Sequence, residues 1–171
     1  RIDPGNPHWK RRLSEIIDTD GTRLSDEKQY ETALARYRES LAIREALFVE
    51  HPDDASLLRS LALSHDYVGE QLVRLERHAE AIAELEKSLG YRETRAARFP
   101  ADLSYRRNAA KSKDKIATLY LRETRDYAKA EPLFAENVGL YLELFNRDPT
   151  DPAWQGELRA SYRDLGEARR Q

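Results

Sequence analysis

Four histidines, a consecutive Ser64-His65-Asp66 and a few acidic clusters are the residues of this chain with chemistry to offer. No two of His8, His51, His65 and His78 share a helical face at metal-ligand spacing. The chain has no cysteine, which excludes a thiol nucleophile, a Cys-type zinc site and a disulfide framework. Ser64-His65-Asp66 has the composition of a hydrolytic triad. On a helix, however, successive side chains diverge by about 100°, so three neighbours cannot converge on one substrate. His65 reads instead as a packing residue or a partly exposed surface histidine. Asp18-Thr19-Asp20-Gly21, with Glu27 further on, imitates part of a calcium loop, but Ile16 stands where that loop needs an acidic ligand. Seven glycines are scattered singly, so the chain has no phosphate cradle and no Gly-x-Ser-x-Gly elbow. Neither enzyme activity nor a metal or cofactor is expected.

One basic cluster stands out. Arg106, Arg107, Lys111, Lys113, Lys115 and Arg122 crowd the segment after Pro100. Arg107, Lys111 and Lys115 form an i, i+4, i+8 stripe that could track phosphates. The plainer reading is a solvated helix face opposite acidic residues of a neighbouring element. A nucleic-acid reader would also expose stacking aromatics, whereas the nearest, Tyr105 and Tyr120, fall at core positions. Trp9 likewise reads as core, with Lys10, Arg11 and Arg12 as surface. The whole chain adds no push toward nucleic acid or an anionic membrane: its 171 residues carry 29 Lys plus Arg against 31 Asp plus Glu. Mean hydropathy is −0.82 although 40% of residues are hydrophobic, so the apolar groups must be gathered on particular faces. No apolar run approaches the roughly 18 residues of a membrane helix, and no signal peptide is visible, so a cytoplasmic setting is expected. With no Met, not even at position 1, the chain is expected to be a piece excised from a longer protein.

The elements that must position these residues repeat. Prolines fall at Pro4, Pro52, Pro100 and Pro149, spaced 48, 48 and 49. Gly21, Gly69, Ala117 and Gly166 keep the same spacings, and so do Trp9, Leu57, Tyr105 and Trp154. Ala33, Ala81 and Ala130 follow at 48 and 49, which puts the one extra residue between Ala117 and Ala130, where a turn could absorb it. Each period reads as two helices. Asn6-Pro7 and Asp151-Pro152 are strong helix starts, because the cap accepts an orphan N–H and Pro has none to lose; Asp54 and Asp102 can cap the other two. Apolar residues then recur at helical spacing: Leu13, Ile16, Ile17 and Leu24, or Leu61, Val68 and Leu72, on the first helices. The second helices carry Ala33, Leu34, Tyr37, Leu41 and Phe48, then Ala81, Ile82, Leu85 and Leu89, then Ala130, Phe134, Val138, Tyr141 and Phe145. The spacing predicts seven helices near 7–24, 27–50, 54–75, 77–98, 102–123, 126–147 and 151–170. A glycine recurring at one helical register marks a place where neighbouring helices approach closely.

On these residues the chain resembles the tetratricopeptide repeat family, in a long-helix form with a period of 48–49 residues. The markers are Ile17, Asp20, Gly21, Leu24, Ala33 and Tyr37; His65, Val68, Gly69, Leu72, Ala81 and Leu85; Lys113, Ile116, Ala117, Tyr120, Ala130 and Phe134; and Tyr162, Leu165 and Gly166. Asp20 and Lys113 depart from the pattern, so the first and third units should pack less well. The resemblance implies an all-α fold: a right-handed superhelical array of antiparallel helix pairs, an α-solenoid of about seven long helices. It would form one repeat domain over 1–171, with units near 4–51, 52–99 and 100–148 and a half unit at 149–171. The resemblance also implies a protein–protein interaction scaffold that takes a peptide or helix of a partner on its first-helix, concave face. The places that line this face in the family hold Asp18 and Thr22, Asp66 and Glu70, Asp114 and Thr118, and Arg163 and Glu167. Three aspartates there would repel a terminal carboxylate and favour a basic or neutral segment, at the first two units above all. The alternatives are an oligomerisation or intramolecular docking element of a larger protein, which includes end-to-end self-association, and an RNA-binding repeat that uses the basic stripe. The apolar set of the last helix, Trp154, Leu158, Tyr162 and Leu165, should pack against the helix before it.

Overall fold

Each first helix begins where a short polar side chain can replace a lost backbone bond. In the computed structural model, which describes residues 6–147 and 149–170, Asn6, Asp54, Asp102 and Asp151 each accept the N–H two residues on. Pro7 and Pro152 occupy the first helical position, where a missing N–H costs nothing. Pro4, the first of the periodic prolines, lies outside the described residues. Seven α-helices result: α1 Pro7–Asp26, α2 Tyr30–Glu50, α3 Ala55–Arg74, α4 His78–Arg98, α5 Leu103–Leu119, α6 Tyr127–Arg147 and α7 Pro152–Ala168. No strand occurs among the described residues. The fold is all-α.

How a first helix ends explains the odd spacing. In α1 the N–H of Gln29 bonds the carbonyl of Leu24, and that of Lys28 bonds Ser25; in α3, Arg77 and Glu76 bond Leu72 and Val73 in the same way. This is a Schellman ending, with Lys28 and Glu76 in the left-handed conformation at φ 62° and 59°. In the third unit the closing bond runs from Asp126 to Tyr120, one residue wider, and the left-handed residue is Arg125 at φ 55°. The extra residue is absorbed in a π-helical turn, Tyr120–Thr124, that continues α5. It thus falls inside the expected interval but widens the helix end itself and leaves the connecting loop unchanged.

The chain divides into two compact units, Arg1–Arg106 and Arg107–Gln171. In the first, α1 packs on α2, α2 on α3 and α3 on α4. Its core holds Leu24, Leu34, Tyr37, Leu47, Leu57, Leu61, Val68, Leu72, Ile82 and Leu85, all buried. In the second, α6 packs on α7, and Ala117, Leu121, Phe134, Val138, Leu165 and Ala168 form the core, with Leu158 against it. The glycine register works as expected at two places. A Cβ at Gly21 would lie 2.9 Å from the Tyr37 ring, and one at Gly69 would lie 3.0 Å from Leu85. Gly166 does not follow: a Cβ there would meet nothing within 4 Å.

Three expected core residues are corrected. Trp9, Leu13 and Ile16 are 46%, 51% and 61% exposed, since no described helix packs on that side of α1. Tyr162 of α7 is exposed as well, so only part of the α7 apolar set is covered. Of the two departures from the repeat pattern, Asp20 pairs with Arg23 and Arg36, and Lys113 pairs with Glu136 at 2.7 Å, so each charged group stays at the surface edge of its helix pair.

Candidate functional site

The aspartate register 18, 66 and 114 faces the second helix of its own unit. Arg44 of α2 holds Asp18 at 2.6 Å, and Arg92 of α4 holds Asp66, which also accepts from Ser88 Oγ at 2.7 Å. Asp66 is 5% exposed, so the carboxylate expected to line an open face is consumed inside the helix pair. Arg44 and Arg92 are 48 residues apart, and the position 49 further on is Tyr141. Asp114 therefore meets no arginine. Its Oδ1 accepts from Asn137 Nδ2 at 2.7 Å, and the Tyr141 hydroxyl donates to its Oδ2 at 3.4 Å. Burial pushes the Asp114 carboxyl up to about 6, helped by the negative charges of Asp164 and Glu157 and opposed by the Asn137 bond. Tyr141 is pushed upward too, first by burial and then by the Asp114 charge.

The positions one turn on are more open. Thr22 is exposed and shares a 3.1 Å bond with the Tyr37 hydroxyl. Glu70 is exposed and Thr118 half-buried. In the half unit, Arg163 donates to its neighbour Asp164 at 2.8 Å, and Glu167 lies 4.0 Å from Arg122. These residues do not form a pocket with the aspartates, whose carboxylates are turned into the helix pairs. An acidic face that selects basic ligands therefore loses its main charges at the first two units to Arg44 and Arg92.

The basic stripe meets acidic residues, as its plainer reading held. Arg107 clasps Glu157 of α7 through Nε at 3.0 Å and Nη2 at 2.5 Å, with its guanidinium 4.9 Å from the Trp154 ring. Lys111 reaches the same carboxylate at 3.3 Å, and Lys115 is exposed. The triad-like run scatters as helical geometry requires. Ser64 accepts from Arg44, His65 Nδ1 bonds Glu84 at 2.7 Å, and Asp66 takes Arg92. His65 is 1% exposed and stacks on Tyr91, so it is a packing residue. Its hydrogen bond holds the Glu84 carboxyl down to about 2. No group of three metal-ligating side chains occurs among the described residues. No helix there is long and apolar enough to cross a membrane.

The stripe Trp9, Leu13 and Ile16 on α1 keeps a core register but is open. The same register on α3 is Leu57, Leu61 and Ser64, which are 1%, 0% and 0% exposed. Arg44 of α2 donates to Ser64, which fixes this face of α3 as the one laid against the preceding second helix. On α1 the equivalent face is open. The core register of this stripe is legible in the sequence. The arginines Arg44 and Arg92 were also legible in principle, as a repeated cation 26 residues after each aspartate.

Consecutive helices in one sequence register define a helical-repeat fold. Residues 21–53 match the tetratricopeptide repeat family model, which places the end of α1, all of α2 and the loop after it in that repeat. No curated protein matches the chain. Repeats of this family mediate protein–protein interaction.

Proposed function

We propose that this chain is a protein-interaction module, and that it engages a helix of its partner on the Trp9, Leu13 and Ile16 face of α1. The observation that carries this reading is three large apolar side chains, each about half exposed or more, in the register that α3 buries against α2. The occupant that fits is an amphipathic helix lying as α2 lies on α3, where a Tyr37–Tyr67 stack with centroids 5.0 Å apart and the Arg44–Ser64 bond accompany the apolar contact. Thr22, Glu70, Thr118, Arg163 and Glu167 are the polar positions that would meet a partner on the other side of the first helices. Asp18, Asp66 and Asp114 contribute there through the helix pairs they hold together. The paired state of Arg107 and Lys111 favours a protein over RNA as the partner.

The test extends the chain by a copy of residues 28–53 placed directly before Asn6, which joins the added helix to α1 as α2 is joined to α3. The unfolding midpoint should rise, and Ile16→Lys should remove the gain. A midpoint that the extension leaves unchanged would overturn the reading. So would a dimer of the unextended chain that Ile16→Lys dissociates, because the face would then belong to a second copy.

A further inference from the structure

The second unit carries a partly buried carboxylate without the arginine that holds each of its two counterparts in the first unit. Three registers meet in every helix pair: an acid on the first helix (Asp18, Asp66, Asp114), a small polar residue on the second (Ser40, Ser88, Asn137) and a long polar residue four further on (Arg44, Arg92, Tyr141). In the first unit both arginines reach their aspartates. In the second unit the cation is replaced by a phenol, while Asn137 still ties the pair by donating to Asp114 and to the Ala110 carbonyl, both at 2.7 Å. We infer that Asp114 makes the unit of α5, α6 and α7 pH-responsive: a proton on its carboxylate tightens the α5–α6 pair, and loss of the proton loosens it.

Negative charge from α7 favours the proton, and the hydrogen bonds from α6 oppose it without adding a cation. From α7, Glu157 and Asp164 add negative charge toward Asp114. The cations nearby are committed elsewhere: Arg107 and Lys111 to Glu157, Arg163 to Asp164, and Lys113 to Glu136. From α6, Asn137 and Tyr141 supply neutral hydrogen bonds. The Asp114 carboxyl, raised to about 6, binds its proton more tightly in the folded unit than in an unfolded chain, where such a group titrates near about 3.9. Stability of this unit therefore grows as pH falls from above 6 toward 4. No histidine occurs in residues 107–171, so no imidazole titration there competes in this window.

Urea unfolding of the full chain tests this, with Trp154 as reporter in a Trp9→Phe background, at pH 5 and pH 7.5. The midpoint of the Trp154 transition should be higher at pH 5, by on the order of 0.5 M. Asp114→Asn should give the same midpoint at both pH values, near that of the parent at pH 5. Tyr141→Arg, which restores the cation of the other two registers, should raise the midpoint at pH 7.5 and flatten the pH dependence. The inference is overturned if the parent shows no higher midpoint at pH 5, or if the pH dependence survives intact in Asp114→Asn. Asp114→Asn alone decides the matter if Tyr141→Arg does not fold.

Discussion

At the residue scale, one glycine register carries two different meanings. Adding a methyl at Gly21 forces it into the ring of Tyr37, which is itself held by stacking on Tyr67. At Gly69 the methyl meets Leu85 and approaches the Ala81 carbonyl at 3.4 Å. Overpacking of this kind costs about 1–3 kcal/mol, against a gain of up to about 1 kcal/mol from replacing a mid-helix glycine. Gly21→Ala and Gly69→Ala should therefore lower stability. Gly166→Ala has open space and should raise it by about 0.5–1 kcal/mol in urea melts. Asp66 is a second residue-scale case. With the carboxylate 8% exposed and held by Arg92, Arg92→Ala leaves a buried charge unpaired and should cost about 3 kcal/mol or more in the same assay. The bond from His65 works at the acid end of the scale. Glu84, depressed to about 2, stabilises the fold above its unfolded value, and that stability is lost as pH falls through about 2.

At the scale of elements, helix starts were legible residue by residue, because Asn6-Pro7 and Asp151-Pro152 combine two local rules that need no tertiary information. Helix ends were less so. The left-handed residues Lys28, Glu76 and Arg125 are not glycines, so nothing in their types announced a Schellman ending. The π-turn at Tyr120–Thr124 was visible only as a spacing of 49 in place of 48. A non-glycine residue in this conformation costs about 1–2 kcal/mol. Lys28→Gly or Glu76→Gly should therefore raise the thermal midpoint, whereas glycine at an ordinary helical position would lower it. Pro132 went unremarked in the sequence because it falls between Ala130 and Phe134, both in register. It is the sixth residue of α6, it is exposed, and its ring removes the backbone bond to Ala128. Pro132→Ala should stabilise α6, by up to about 3 kcal/mol, with no change in helical content by circular dichroism.

At the scale of the whole molecule, periodicity revealed the fold more readily than the binding surface. A core register says that a residue faces a neighbour, and Leu57 and Leu61 obey it; it cannot say whether the neighbour is present, and for Trp9, Leu13 and Ile16 none is. The aspartate register failed in the opposite way. Asp18 and Asp66 looked like a free acidic face because their arginines lie 26 residues away on the next helix, beyond the reach of any local pattern. Both errors have the same origin, since burial depends on what packs across the helix and not on the helix alone. The α1 helix presents an open apolar face while the rest of its unit is packed. Tryptophan emission of the Trp154→Phe chain, in which Trp9 is the sole reporter, tests this most directly. Trp9 should show a solvent-type emission maximum with strong acrylamide quenching at low protein concentration, shifting to the blue when the copy of residues 28–53 is joined ahead of Asn6. A blue-shifted, poorly quenched Trp9 in the unextended monomer would contradict it.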